Sequence, residues 1–140
     1  MVLFEVDGHR IAIPVGTIRE IIPARPCTPL PGSAPYVLGL VNLRGRLVTV
    51  IDLGLRLRLR AASNLPEHSI VVVEHAGKTV GIAVEELAGM VEVFPEALAT
   101  SAETIRSLGI DRSYLRGIGE SDGELFLAVD TDEILRPLLS

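Results

Sequence analysis

The chain has 140 residues, of which 48% are hydrophobic and 22% are charged, so it can fill one hydrophobic core or two small adjoining ones. The formal net charge of −5 argues against nucleic-acid binding, because proteins that bind phosphate backbones carry a surplus of Lys and Arg. The single cysteine, Cys27, excludes an internal disulfide, and the scarcity of aromatic residues predicts an aliphatic core.

The first residues of the chain lack the pattern of a secretory signal peptide. Met1 is followed by three apolar residues and then by Glu5, with no basic segment before them. No apolar run approaches the ~20 residues that a membrane-spanning helix requires. These features predict a cytoplasmic protein without direct membrane insertion.

Short runs of β-branched and other apolar residues, separated by glycine-containing turns, dominate the chain. The first two runs meet at Asp7-Gly8, a dipeptide that favours the tight turn of a β-hairpin. Three further pairs of runs meet around Gly45, Gly77 and Gly123. Four hairpins of short strands predict a mainly β protein, built either as barrels or as a sandwich.

Two other segments have patterns of their own. The proline-rich residues 23–35 predict an extended surface connection, because proline donates no hydrogen bond within a sheet. The alternating run at residues 55–60 predicts a charged edge strand, with a basic docking strip for an acidic partner as the less favoured alternative. Its leucines also fit a helical turn. Near the end of the chain, Asp130 or Thr131 can cap a short helix over about residues 132–139.

An internal repeat is the most informative feature of the sequence. Residues 2–22 align without gaps with residues 71–91, at a constant offset of 69 positions. A second block, residues 36–52, aligns with residues 114–130 at a constant offset of 78. Because the two blocks occur in the same order, chance similarity between Val-rich hairpins is the poorer explanation.

The repeat predicts two copies of one β-unit, about residues 1–66 and 67–140. The copies should share a core within a single domain, because each alone is near the size at which a core becomes marginal. Leu47 recurs in the second copy and is therefore expected to be structural. Arg44 aligns with Asp122, so the fold tolerates either residue there, and Arg44 becomes a candidate for a role outside the fold.

Patterns for catalysis, metal binding and phosphate binding are absent from the sequence. His9, His68 and His75 are scattered, and Cys27 lies between two prolines, so neither a metal site nor an activated nucleophile is indicated. No glycine-rich phosphate-binding motif is present. We expect no catalytic residue, no cofactor, no metal and no small-molecule substrate. A small enzyme or a ligand-binding β-barrel is the less favoured alternative.

The stretch from Tyr36 to Leu53 carries a specific family resemblance. Its centre, Gly39-Leu40-Val41-Asn42-Leu43-Arg44-Gly45, followed by an apolar strand and Asp52, is similar to the central motif of the CheW family of bacterial chemotaxis adaptors. The segment Ile18-Arg19-Glu20-Ile21 and the later Val-rich hairpins resemble other blocks of the family. The resemblance covers almost the whole chain, residues 1–140.

The resemblance implies a fold and a function. The implied fold is two intertwined, SH3-like, five-stranded β-barrels with a groove between them and few short helices, including one at the C-terminus. The implied function is that of a non-enzymatic scaffold that couples methyl-accepting chemotaxis receptors to a CheA-type histidine kinase. Such an adaptor binds the kinase regulatory domain barrel to barrel and the cytoplasmic receptor tip in the groove. A CheW-like regulatory domain from a larger kinase or a CheV-type protein is the alternative.

The resemblance also implies which residues bind partners. Arg44, with Asn42 and Leu43 beside it, is the first residue expected to do so. Ile18 and Glu20 match positions in the region that the family uses for coupling. The repeat and the family pattern therefore single out the same arginine by different routes.

Overall fold

A computed structural model describes residues 1–59, 69–99 and 109–139 of the chain. Its ten strands, in chain order, are β1 (Val2–Val6), β2 (His9–Ile13), β3 (Ile18–Pro23), β4 (Val37–Leu43), β5 (Arg46–Asp52), β6 (Ser69–His75), β7 (Lys78–Val84), β8 (Glu86–Met90), β9 (Leu115–Ser121) and β10 (Glu124–Val129). The helices are α1 (Leu53–Arg56) and α2 (Thr131–Leu139), and 3₁₀ turns span Val15–Thr17, Pro95–Ala97 and Arg112–Tyr114. Within this described part of the chain, no helix is both long and apolar enough to cross a membrane.

The strands form two five-stranded sheets that exchange hairpins. Sheet A has the order β8-β1-β2-β10-β9, and sheet B has the order β3-β6-β7-β5-β4. Each sheet thus combines one hairpin from one half of the sequence with three strands from the other half. The repeat relates β1–β5 to β6–β10 in the same order. Replacing each strand of sheet A by its counterpart gives the strand order of sheet B. The boundary predicted at residues 66 and 67 itself lies outside the described residues.

Each sheet closes on itself because the chain beyond one edge strand crosses to the other edge. Thr28, after β3, exchanges two backbone hydrogen bonds of 2.8 Å with Leu40 of β4. Ala99, after β8, does the same with Ile118 of β9. Glycine is required at the first crossing, because a Cβ on Gly39 would lie 2.1 Å from the Thr28 carbonyl oxygen. The prediction of a mainly β fold with two five-stranded barrels is confirmed.

All four predicted hairpins are present, and each has a two-residue turn. The first turn residue, at Asp7, Arg44, Ala76 or Asp122, has φ between 52° and 53°, and the glycine after it has φ between 78° and 83°. Positive φ at both central positions is what a type I′ turn requires, and glycine meets this at no steric cost. At the first position Asp, Asn and Gly are preferred, so Arg44 and Ala76 hold a conformation that their residue types rarely adopt.

Among the described residues, three apolar clusters form the core. The central cluster is the largest and takes buried side chains from both sheets, such as Ile11 and Ile51, together with Ile134 of α2. Two smaller clusters lie in sheet B and sheet A. The expected aliphatic composition holds except for Phe4 and Phe126, which are both fully buried.

Two aspartates cap the helices that follow the hairpins. A carboxylate oxygen of Asp52 accepts a hydrogen bond from the backbone N–H of Leu55 at 3.1 Å, which starts α1. A carboxylate oxygen of Asp130 accepts one from Glu133 at 3.3 Å, so the predicted C-terminal helix is confirmed, with its start at residue 131. The charged edge strand predicted at residues 55–60 is wrong in its described part, because capping by Asp52 favours the alternative helical turn.

Arg56 joins the two halves of the chain. Its guanidinium donates hydrogen bonds to the carbonyl oxygens of Glu133 at 3.1 Å and Ile134 at 2.9 Å, both in α2. It also lies 4.8 Å from the ring centre of Tyr36 and 4.5 Å from that of Tyr114. The two tyrosines are counterparts in the repeat, so one cation stacks on equivalent rings from both copies.

Candidate functional site

The predicted partner-binding residues lie on the two edge strands of sheet B. Asn42 and Leu43 are the last residues of β4, and Arg44 begins the turn into β5. Ile18 and Glu20 lie on β3, the opposite edge of the same sheet. Closure of the barrel brings these two edges together, so residues that are 24 positions apart in the sequence can touch.

Arg44 and Glu20 form a bidentate ion pair across the closed edge. The two terminal nitrogens of Arg44 donate to Oε1 and Oε2 of Glu20, and both distances are 2.7 Å. The Arg44 side chain is 74% exposed and the Glu20 side chain 26%. These hydrogen bonds lower the pKa of the Glu20 carboxyl and raise the pKa of Arg44. The pair therefore holds a charged, solvent-facing guanidinium in one orientation.

Asn42 supports the turn that presents Arg44. Its side-chain oxygen accepts a hydrogen bond from the backbone N–H of Gly45 at 2.9 Å. Its backbone carbonyl accepts one from Arg25 at 3.3 Å, which ties the connection after β3 to the end of β4. Asparagine side chains commonly bond to nearby backbone in this way. Asn42 thus stabilises the positive-φ conformation at Arg44.

Leu43 and Ile18 are half-buried and lie against different parts of the core. Leu43 packs on the cluster inside sheet B, beneath the turn that carries Arg44. Ile18 packs on the central cluster that both sheets share. The structure therefore brings Glu20, Asn42, Leu43 and Arg44 together at one end of sheet B, and leaves Ile18 facing the region between the sheets.

A shallow pocket of about 250 Å³ adjoins the Arg44–Glu20 pair and adds charged residues that the sequence analysis missed. Arg46, Arg19 and Glu74 line it. A terminal nitrogen of Arg19 lies 3.2 Å from Oε1 of Glu74, which forms a second exposed ion pair. The repeat did contain a signal for Arg46, because its counterpart has the opposite charge.

The described residues contain no group of three or more His, Cys, Asp or Glu that could hold a metal ion. His9 lies on β2 of sheet A, whereas His75 lies on β6 of sheet B. Cys27 is partly exposed in the proline-rich connection, with its sulfur 3.8 Å from a backbone carbonyl oxygen. His68 lies outside the described residues.

Comparison with known sequences gives one consistent result. A family model described as a CheW-like domain matches residues 1–138. The chain is 27% identical over 134 residues to the chemotaxis protein CheW of Rhizobium meliloti, covering 96% of this chain and 85% of that protein. It is 29% identical over 135 residues to the chemotaxis protein CheW of Bacillus subtilis, again covering 96% of this chain and 85% of the relative.

Comparison with solved structures gives the same fold. The chain is similar to the crystal structure of the scaffolding protein TtCheW from Thermoanaerobacter tengcongensis, with a TM-score of 0.83. The match covers 96% of this chain and 85% of that protein, at 19% sequence identity. Backbone similarity at such low identity shows that different side chains build the same pair of barrels.

Proposed function

The chain belongs to the family of CheW-like domains, and from this premise we propose that it is a scaffold that couples methyl-accepting chemotaxis receptors to a CheA-type histidine kinase. The family acts by binding proteins and not by catalysis, so the site should be understood as a docking surface. The proposal includes a cytoplasmic location, because the receptor tip that the chain would bind is cytoplasmic. The proposal needs no cofactor, metal or small-molecule substrate.

The observation that carries the kinase-binding part is the exposed bidentate pair between Arg44 and Glu20. An arginine that is 74% exposed would normally lose rotamer freedom on binding a partner. Here the two hydrogen bonds to Glu20 have already restricted it, so less entropy is lost when a partner docks. The N–H groups of Arg44 that do not bond to Glu20 point in a fixed direction, so they can align a docking protein.

The two half-buried residues divide between the two proposed partners. Leu43 supports the Arg44 turn from inside sheet B, so it belongs with the end of the barrel that would meet the kinase regulatory domain. Ile18 packs on the central cluster that both sheets share, so we assign it to the groove expected between the barrels, which would accept the helical receptor tip. Separate faces allow one small body to contact both partners at once.

Calorimetric titration with the regulatory domain of a CheA-type kinase from the same genome tests this proposal. Wild type should bind, and Arg44→Ala should weaken the affinity at least about fivefold, as for a residue at the centre of an interface. Arg112→Ala removes an equally charged and exposed side chain from the 3₁₀ turn before β9 and should bind like wild type. Failure of the wild type to bind, or equal affinities for wild type and Arg44→Ala, would contradict the proposal.

A further inference from the structure

One pocket shares none of its lining residues with the proposed docking surface. It has a volume of about 380 Å³ and is lined, among the described residues, by Met1, Val93, Leu98 and Arg116. We call it the sheet A pocket, because its apolar residues pack on the buried cluster in sheet A. Cavities of ~300–1,000 Å³ with a mainly apolar lining and a few polar groups are the usual form of a small-molecule site.

The apolar wall of the sheet A pocket is held in place by the fold. Met1, Val93 and Leu98 are all half-buried against the sheet A cluster. The backbones of Met1 and Val91 exchange two hydrogen bonds, of 2.7 and 2.9 Å. Leu98 directly precedes the backbone crossing that closes the sheet. The wall is therefore already formed before a ligand arrives, so little conformational entropy is lost on binding.

The sequence repeat indicates how sheet A comes to have a cation at this pocket. Arg116 of β9 aligns with Leu38 of β4, at the constant offset of 78 positions. Leu38 is half-buried and packs on the cluster inside sheet B. Arg116 is exposed and belongs to none of the apolar clusters. An apolar side chain that covers the core of sheet B is thus replaced in sheet A by a charged one beside a cavity.

The charge of Arg116 is not neutralised by a neighbouring acid in the part of the chain that the structure describes. No ion pair among residues 1–59, 69–99 and 109–139 includes this arginine. A guanidinium donates paired hydrogen bonds to a carboxylate, and the match of the two planar groups makes the contact specific. An arginine at an apolar cavity therefore fits a ligand that has an apolar body and one carboxylate.

We infer that the sheet A pocket binds a small apolar monocarboxylate, such as a medium-chain fatty acid. The apolar body would lie against Val93 and Leu98, and the carboxylate would accept hydrogen bonds from the guanidinium of Arg116. At about 30 Å³ for each non-hydrogen atom, the volume share of a water in the liquid, the pocket has room for roughly twelve such atoms. Octanoate is slightly smaller than this limit. The inference goes beyond the proposed scaffold and does not depend on it, because a scaffold needs no ligand.

Methyl NMR of the full chain during a titration with octanoate tests the inference. With isotope-labelled Leu and Val methyl groups, the signals of Val93 and Leu98 should shift together and saturate, with a dissociation constant of about 1 mM or tighter. The methyl signals of Leu43, which packs on the cluster inside sheet B, should not move. Signals of Val93 and Leu98 that stay in place at an octanoate concentration about tenfold higher would overturn the inference.

A neutral ligand with the same carbon chain separates recognition of the carboxylate from apolar contact. Octanol presents a hydroxyl in place of the carboxylate, so it cannot form a charge-assisted hydrogen bond to Arg116. It should therefore bind the wild type at least about tenfold more weakly than octanoate. Equal affinities for the two ligands would show that the pocket recognises only the apolar chain, which would contradict the inference.

Two substitutions of Arg116 should give different patterns. Arg116→Gln removes the charge and keeps a polar side chain, so octanoate should bind about tenfold more weakly, whereas octanol should bind as it does to wild type. Arg116→Leu introduces the residue that stands at the equivalent position of sheet B, so this variant should fold. It should lose both ligands, because the leucine would fill the cavity. Unchanged octanoate affinity in either variant would overturn the inference.

Arg112→Gln is the matched control for the loss of one positive charge. Arg112 is exposed in the 3₁₀ turn before β9 and is not among the described residues that line the pocket. This variant should bind octanoate like wild type. If it weakened octanoate binding as much as Arg116→Gln does, the attraction would come from the general charge of the surface, and the inference would be wrong.

Discussion

In sheet A the turn between β9 and β10 begins with Asp122 at a φ of 53°, and in sheet B the equivalent turn begins with Arg44 at 52°. The barrels otherwise match in strand order, in the crossing that closes each sheet and in the capped helix after the second hairpin. The positions that close each barrel and cap each helix are therefore the same in both copies. The charges at the two hairpin tips are not specified by the fold, and they differ. These positions can therefore determine which partner binds.

The largest effect should come from the glycine that permits barrel closure. Gly39→Ala should lower the free energy of unfolding by about 3 kcal/mol or more, because its Cβ would lie 2.1 Å from a backbone oxygen and its φ is +139°. The counterpart Gly117→Ala should cost less, because the Cβ would be 2.7 Å from its nearest neighbour, the Leu98 side chain. Chemical denaturation of both variants measures the difference. Equal losses of unfolding free energy in the two variants would contradict the prediction that the closer contact at Gly39 makes its substitution more costly.

Removing the cation between the two copies should have the next largest effect. Arg56→Leu should lower the free energy of unfolding by about 2 kcal/mol, because two carbonyl oxygens of α2 lose charged donors and two rings lose their stacked cation. Arg112→Leu is the matched control, since that side chain is exposed. Denaturation curves that coincide for the two variants would show that Arg56 does not join the halves.

The helix caps should differ according to their burial. Asp52→Ala should cost about 2 kcal/mol and its counterpart Asp130→Ala about 1 kcal/mol, because Asp52 is fully buried whereas Asp130 is half-buried. Thermal and chemical unfolding of each variant provide the measurement. A larger loss for Asp130→Ala would reverse the order that burial predicts.

The smallest effect on stability should come from the exposed Arg44–Glu20 pair. The pKa of Glu20 in the folded chain lies below its ordinary value of 4.5, so the pair stabilises the fold above about pH 4.5. This contribution is lost as the pH falls further through the lowered pKa. Glu20→Gln should therefore be less stable than wild type at neutral pH and equally stable in strong acid.

A matched variant checks that the pH dependence belongs to the pair. Glu92 is exposed and lies just beyond β8 in sheet A, so Glu92→Gln changes the same charge away from Arg44. Its unfolding free energy should follow wild type at every pH. A stability difference for Glu20→Gln that is as large in strong acid as at neutral pH would assign the effect to something other than ionisation.

The sequence predicts local structure better than it predicts contacts between distant segments. The hairpins followed from glycines after short apolar runs, because a type I′ turn imposes its residues locally. The pairing of Arg44 with Glu20 could not be predicted, because it depends on barrel closure between distant segments. The sequence also failed to predict that Leu47 is 69% exposed, for a different reason. A repeat shows that a residue recurs, but not whether it recurs in the core or on the surface.

The organisation of the two copies was also only partly predictable. Strand content and the two barrels followed from the repeat and the family resemblance, and the topology adds that each sheet borrows a hairpin from the other half. The run at residues 55–60 was misassigned because alternation over six residues fits an edge strand as well as a capped turn. The boundary near residue 66 and the roles of the site residues stay predictions.

Replacing Arg44 by Asp, the residue at the equivalent position of the second copy, tests most directly the claim that fold positions and partner positions are separate. Arg44→Asp keeps a turn residue that the equivalent hairpin already uses at the same φ, but reverses the charge of the tip. Unfolding and titration with the kinase regulatory domain should be measured on the same preparation. We expect an unfolding transition close to that of wild type together with loss of kinase binding. Retained binding, or loss of the fold along with binding, would contradict the division between fold positions and partner positions.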